Sequence, residues 1–318
     1  MKPRLAEQMA ADWQRTDQGL TPLAQGPPRV LMLEVTNHCN LACRFCYNRQ
    51  ARRERGYLSL DLARIALDQA RDLGVGELAL YSTGEPLLHP ELDRLTALGK
   101  ERGFYTYLTT NGLALTLDLG RRLAEAGLDS LKLSLDAGDR EAYRRIKGRD
   151  AFDQVLANLA GIREISRELG RPRIICSFVQ TRDNLPGLAA FRALAGPWAD
   201  DLLVTWPVNL GGKVRPGAPE GAGPGERRPC RMLWDRLVVC HDGRLTPCCV
   251  DFEAELCFAR LGQAPLSELW NHPRLVAWRK AHLAGDLAAL PPCRACDAAR
   301  VQTPERLLAA QAPAGEER

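Results

Sequence analysis

Residues 39 to 46 read CNLACRFC and set three thiols, Cys39, Cys43 and Cys46, inside eight positions. Three thiolates can hold three irons of a [4Fe–4S] cluster and leave the fourth iron open to an outside ligand. Structural zinc prefers four protein ligands, and no fourth cysteine stands near this trio. The trio therefore reads as a cage with one reactive side. Such a site has to be held at the rim of a rigid scaffold.

The scaffold is legible in the surrounding pattern. Apolar runs at 29–36, 77–82, 104–110, 130–136, 173–180 and 201–208 alternate with helix-period stretches at 59–74, 90–102, 116–126, 139–169 and 185–195. Ser59 is placed to cap the first of these helices and Gly74 to end it. Repeated strand–helix units without hairpins imply parallel strands with helices outside. Six of them predict a partial (β/α)6 TIM-like barrel, with reactive residues at the C-terminal ends of its strands.

The composition sets outer limits. The chain has 318 residues, 45% hydrophobic and 26% charged, with 43 basic and 39 acidic side chains. That balance gives no case for nucleic acid or an acidic membrane surface as partner. No apolar run nears the roughly 20 residues needed to span a bilayer, and the N-terminal residues lack a signal-peptide core. A cytoplasmic location follows as the expectation, and there eleven cysteines point to metal or redox ligands rather than disulfides.

The order of further motifs carries a resemblance. CNLACRFCY resembles the CxxxCxxC signature of radical S-adenosylmethionine (SAM) enzymes, STGEP (82–86) their GGEP motif, TTNG (109–112) their substrate-side turn, and LKLSLDA (131–137) the strand that meets the SAM ribose. The resemblance covers 29 to about 208. It implies that the open iron binds SAM and that reductive cleavage of SAM yields a 5′-deoxyadenosyl radical. It also implies that Gly84 allows close backbone approach, Glu85 receives the SAM amino group, Ser134 the ribose, and Phe45 the adenine. Ser82 and Thr83 depart from the family's small residues.

A second region begins after GGKVRPGAPEGAGPGERRP (211–229), which reads as a linker or mobile loop. Beyond it, two short strands around the turn HDG (241–243), a helix at 266–283 and CRAC (293–296) are expected. The run from Cys230 through Gly243 and Cys248 to Cys293 and Cys296 resembles a SPASM domain in its shortened Twitch form. The resemblance implies that those four thiols fully ligate an auxiliary [4Fe–4S] cluster, although a zinc site of four cysteines uses the same residues. The expected division is an N-terminal extension (1–28), the barrel (29–210), the linker (211–229), the auxiliary-cluster domain (230–300) and a tail (301–318).

Four cysteines stay outside both sets. Cys176, Cys240 and Cys257 read as small core residues. Cys249 differs, because side chains alternate along an extended segment and its neighbour Cys248 is assigned to the cluster. It is expected to face the substrate, where an S–H bond, weaker than C–H, can return a hydrogen to the opposite face of a carbon radical. The region from Cys230 to Arg306 resembles the Twitch enzymes of aminoglycoside biosynthesis. The thiol at 249 resembles the branch that inverts a sugar carbon rather than the branch that dehydrogenates an alcohol. The resemblance implies two [4Fe–4S] clusters, SAM, an aminoglycoside substrate and a flavodoxin or ferredoxin-type electron donor. For a polycation, Glu34, Asp136 and Asp251 are candidate contacts, with Glu253 and Glu255 better read as surface charges. An alcohol dehydrogenase and a peptide-modifying enzyme are the alternatives. The 28 residues before the first strand are too few for a peptide-recognition domain.

Overall fold

A computed structural model describes residues 5–217 and 225–311. Part of the Gly/Pro-rich stretch, 218–224, and the tail from 312 lie outside the described residues.

The chain opens with helix α1 (Leu5–Gln18), then alternates β1 (Val30–Leu33), α2 (Leu60–Leu73), β2 (Glu77–Ala79), α3 (Leu92–Glu101), β3 (Tyr105–Thr110), α4 (Leu117–Glu125) and β4 (Ser130–Ser134). Helices α5 (Arg140–Lys147) and α6 (Phe152–Leu169) follow, then β5 (Arg173–Val179), α7 (Leu188–Ala195) and β6 (Asp201–Thr205). The six strands are parallel neighbours in chain order. Local chemistry explains the joints. Ser59 accepts the Leu62 N–H at 3.2 Å, and Gly74 ends α2 at φ +90°, a region glycine enters without a Cβ penalty. The helical stretch expected over 139–169 is divided into two helices, because Gly148 turns the chain at φ +71°.

The strands are shorter than their apolar runs, which continue past the ladder at 34–36, 80–82 and 135–136. Those residues leave the sheet to build the site. Leu31, Leu33, Leu78, Leu108, Leu131 and Leu133 face the helices and form the main core. The alternate residues line the barrel lumen, where Val30, Met32 and Ala79 pack with Tyr81, Tyr107, Val238 and Cys249.

The second region is not detached. Helix α8 (Met232–Asp235) leads into β7 (Arg236–Val239), which pairs in parallel with β1 over four residues. Strands β8 (Arg244–Thr246) and β9 (Ala259–Arg260) add antiparallel, giving one nine-stranded sheet in the order β6-β5-β4-β3-β2-β1-β7-β8-β9. The helix expected at 266–283 is broken into α9 (Leu266–Leu269) and α10 (Pro273–Ala284), because Pro273 can start a helix but not continue one. Short helices α11 (Pro291–Ala295), α12 (Ala298–Val301) and α13 (Pro304–Ala309) complete the described chain.

The N-terminal extension is also part of the fold. Ala6, Ala10 and Trp13 of α1 pack on Ile175, Leu203 and Leu307, closing the barrel beside β5 and β6. Their i, i+4, i+7 spacing is the sequence signal for it. Among the described residues no helix is long and apolar enough to cross a membrane.

Candidate active site

The thiol loop leaves β1 and is tied down by backbone bonds. Ala42 N–H donates to Lys147 O at 3.3 Å and Arg44 N–H to Ile146 O at 3.0 Å, so the end of α5 clamps it. Asn48 Nδ2 holds Asn37 O at 2.9 Å and Thr83 O at 2.6 Å from inside. Cys39, Cys43 and Cys46 lie within electrostatic range of one another. Burial pushes the Cys39 thiol up to about 11 and the Cys43 thiol up to about 12, and also raises that of Cys46. Free thiolates are thus disfavoured there, and a cationic metal centre is what would stabilise them.

The turn at 82–86 is built into the same unit. A Cβ on Gly84 would stand 2.3 Å from Thr36 O and 2.7 Å from His38 O, while Glu85 N–H donates to His38 O at 2.7 Å. Glu85 is 2% exposed and accepts from Leu87 N–H (3.1 Å), Thr110 Oγ1 (2.6 Å) and Asn111 N–H (2.8 Å). Burial raises its pKa in spite of these bonds, and no ion pair to it is found among the described residues. A buried carboxylate beside Cys39 and without a cation of its own fits the amino group of SAM. The turn TTNG, expected on the substrate side, puts Thr109 on the lumen cavity and holds Glu85 in place through Thr110 and Asn111. Ser134 ends β4 with its Oγ 3.5 Å from Ser177 Oγ. The Phe45 ring lies 5.9 Å from Lys147 Nζ.

The three expected substrate carboxylates are engaged by the protein's own groups. Glu34 is 1% exposed and engaged by Arg53, Thr83 and His241 Nδ1, the last at 2.9 Å. Burial opposes ionisation, yet the His241 bond, the Arg53 charge and the Thr83 bond hold this carboxyl below the usual range. Asp136 is 1% exposed; it accepts from Lys147 Nζ at 2.5 Å and from Val179 N–H at 2.7 Å. Asp251 is buried in a turn, accepting from Thr246 Oγ1 (3.0 Å), Glu255 N–H (2.9 Å) and Leu256 N–H (2.8 Å). All three are occupied inside the protein. Glu253 caps Arg52 N–H and Glu255 pairs with Lys213 at 2.5 Å.

Cys230, Cys248, Cys293 and Cys296 line one largely apolar cavity with Leu210 and Val250. Burial raises the Cys230 thiol to about 11, that of Cys293 to about 12 and that of Cys248 well above its usual value. Among the described residues no three His, Cys, Asp or Glu side chains are placed to hold one metal ion between them. The four thiols share one cavity, and such a donor set can take a [4Fe–4S] cluster or a zinc ion. Cys240 stands apart, 1% exposed, its sulfur accepting from Arg53 Nη1 at 3.2 Å.

Cys249 opens to the other side. It lines a lumen cavity of about 1120 Å³ together with Tyr81, Tyr107, Thr109, Lys132 and Arg236. Its sulfur lies 3.7 Å from Arg236 Nη1 and 3.8 Å from Met232 Sδ. Its carbonyl accepts from Ser82 Oγ at 3.3 Å, and Thr83 bonds Glu34, so the two residues that depart from the family's turn tie it to neighbouring elements. Sequence reasoning missed this lumen wall. Lys132 sits two residues before Ser134 on the same strand face, and that period was the available signal. The Thr109 hydroxyl is buried with no partner among the described residues.

Residues 33–178 match the Radical SAM superfamily, and residues 230–297 match SPASM, an iron–sulfur cluster-binding domain. The PqqA peptide cyclase of Streptomyces rochei is 37% identical over 127 residues, 39% of this chain and 34% of that protein. The matched stretch thus spans about a third of the length of that curated relative. Among solved structures, BtrN in complex with AdoMet and 2-DOIA is 21% identical, with a TM-score of 0.61 over 88% of this chain and 96% of that one. Streptococcus suis SuiB bound to precursor peptide SuiA is 16% identical, with a TM-score of 0.68 over 95% of this chain and 79% of that one. At these identities the structural likeness is one of fold.

Proposed function

We propose that this chain, which carries a radical SAM domain joined to a SPASM iron–sulfur domain and with them [4Fe–4S] clusters and SAM, is an epimerase. It inverts one sugar carbon of an aminoglycoside, the conversion of neomycin C to neomycin B being the reaction it most resembles. The single observation that supports the reading is the cysteine pair at the domain junction. Cys248 lines the cavity of the four auxiliary thiols, and Cys249 lines the lumen.

When bound, the N-terminal cluster and SAM supply a 5′-deoxyadenosyl radical, which takes a hydrogen from the substrate carbon. The protein's part is to place Cys249 across the lumen from that event. The S–H bond then breaks and a C–H bond forms on the opposite face, one hydrogen atom moving. Sulfur regains its hydrogen as one electron, from a reduced iron–sulfur or flavodoxin-type donor, and one proton from water. The substrate undergoes no net redox change, while each turnover consumes one SAM, one proton and two electrons, one to cleave SAM and one to restore the thiol. Phe45, Gly84, Glu85 and Ser134 hold SAM in this reading, and Cys39, Cys43 and Cys46 hold its cluster.

The carboxylates lining the lumen, Asp12, Glu77, Asp129 and Asp200, are each paired with a cation. The choice of an aminoglycoside therefore rests on the family branch and on Cys249, not on an acidic pocket. The alternative, an alcohol dehydrogenase on the same scaffold, releases a ketone and two electrons. Turnover of neomycin C in D2O separates the two. The epimerase reading expects one deuterium at the inverted carbon, and Cys249→Ala should keep cleaving SAM while losing the epimer. A ketone product, or undiminished epimer from the alanine variant, refutes it.

A further inference from the structure

We propose that Arg236 is the positioning residue for the Cys249 thiol, holding the sulfur at the lumen wall so that its hydrogen is presented to the substrate carbon. This rests on the epimerase reading above. Arg236 opens β7, and its side chain lines the lumen. Nη1 reaches the Cys249 sulfur at 3.7 Å, and Nη2 is anchored on Asp235 Oδ2 at 2.9 Å. The Asp235 carboxylate is 1% exposed and is gripped from its other oxygen by Arg29 Nε at 2.9 Å. A fixed chain, Arg29 to Asp235 to Arg236, therefore runs along the β1–β7 junction and ends on the sulfur.

The chemistry of that last contact is one-directional. A guanidinium only donates, so Arg236 occupies a lone pair of the sulfur and cannot take its hydrogen. The hydrogen is left two directions, toward Met232 Sδ at 3.8 Å or toward the cavity. A thioether is a weak acceptor, so a substrate radical in the cavity meets little competition. Without the guanidinium the thiol is free to sample its three staggered rotamers. A misplacement of about 1 Å in such a transfer costs up to roughly 100-fold.

The test compares wild-type holoenzyme with Arg236→Met, using neomycin C, SAM and dithionite. The readout is 5′-deoxyadenosine formed per epimer formed. We expect the ratio to rise about tenfold in Arg236→Met, because the substrate radical is still made but the hydrogen return is delayed. A merely structural role would lower both products together and leave the ratio unchanged. Because the ratio is taken per turnover, partial loss of folded protein does not move it. Should Arg236→Met fail to accumulate, the double variant Asp235→Asn/Arg236→Met removes the leftover charge and carries the same test. A ratio within twofold of wild type overturns the proposal. A wild type that makes no epimer overturns the epimerase reading itself, and this inference with it.

Discussion

Cys248 and Cys249 are consecutive in the chain and face different cavities, one shared by four thiols and the other the barrel lumen. Strand β8 ends at Thr246, and the turn that follows, with Asp251 N–H on Cys248 O at 3.3 Å, rather than the extended segment expected, makes this dipeptide the seam between two compartments. Anything that disturbs one side of the seam is felt a single residue away on the other.

Replacing Cys293 or Cys296 by serine should therefore reduce the iron content from two clusters to one. SAM cleavage by the N-terminal trio should persist. Iron and sulfide analysis beside a SAM-cleavage assay checks this; two full clusters in either variant would exclude that cysteine as a ligand.

Gly84→Ala puts a methyl group against the carbonyls of Thr36 and His38, at 2.3 and 2.7 Å. Backbone cannot rotate away as a side chain can, so the turn and the thiol loop must separate. The expected cost is about 1–3 kcal/mol of stability, with weakened SAM binding. Denaturant unfolding and equilibrium binding of SAM measure the two effects.

Lys147 and Asp136 are a fully buried pair, 2% and 1% exposed at the side chain. Lys147→Met leaves the carboxylate alone in the core and should cost about 3–5 kcal/mol. The double variant Lys147→Met/Asp136→Asn removes the uncompensated charge and should recover most of that loss. Equal destabilisation of the single and double variants would count against the pairing.

His89 is 4% exposed. Its Nδ1 accepts from Glu91 N–H at 3.1 Å and its Nε2 faces Leu58 O at 2.9 Å, the geometry of a neutral imidazole protonated at Nε2. Burial lowers its pKa below the ordinary 6.5, against the opposing influence of the Leu58 carbonyl and Glu91. The unfolded state therefore takes up this proton first as pH falls. The stability His89 contributes is present above about 6.5 and is lost as pH drops through its folded value. His89→Gln should show a shallower loss of stability between pH 7 and 5 than wild type; matching slopes would remove His89 as the cause.

What depends on neighbours along the chain is legible in the order of residues. Three thiols at spacings of four and three, the Ser59 cap, the Gly74 stop and the alternation of strands with helices are local patterns. Their physics, cluster ligation, capping and side-chain periodicity, acts over a few residues. Tertiary structure alone decided which charges were free. Glu34 meets His241 across 207 residues and Arg29 meets Asp235 across 206. No local pattern announces such partners, so three buried ion-paired or turn-capping carboxylates read as open ligand contacts. The same holds for β7 joining β1 and for α1 closing the barrel. Each is stabilised by burying apolar surface against residues remote in sequence, and that surface exists only once the sheet has formed.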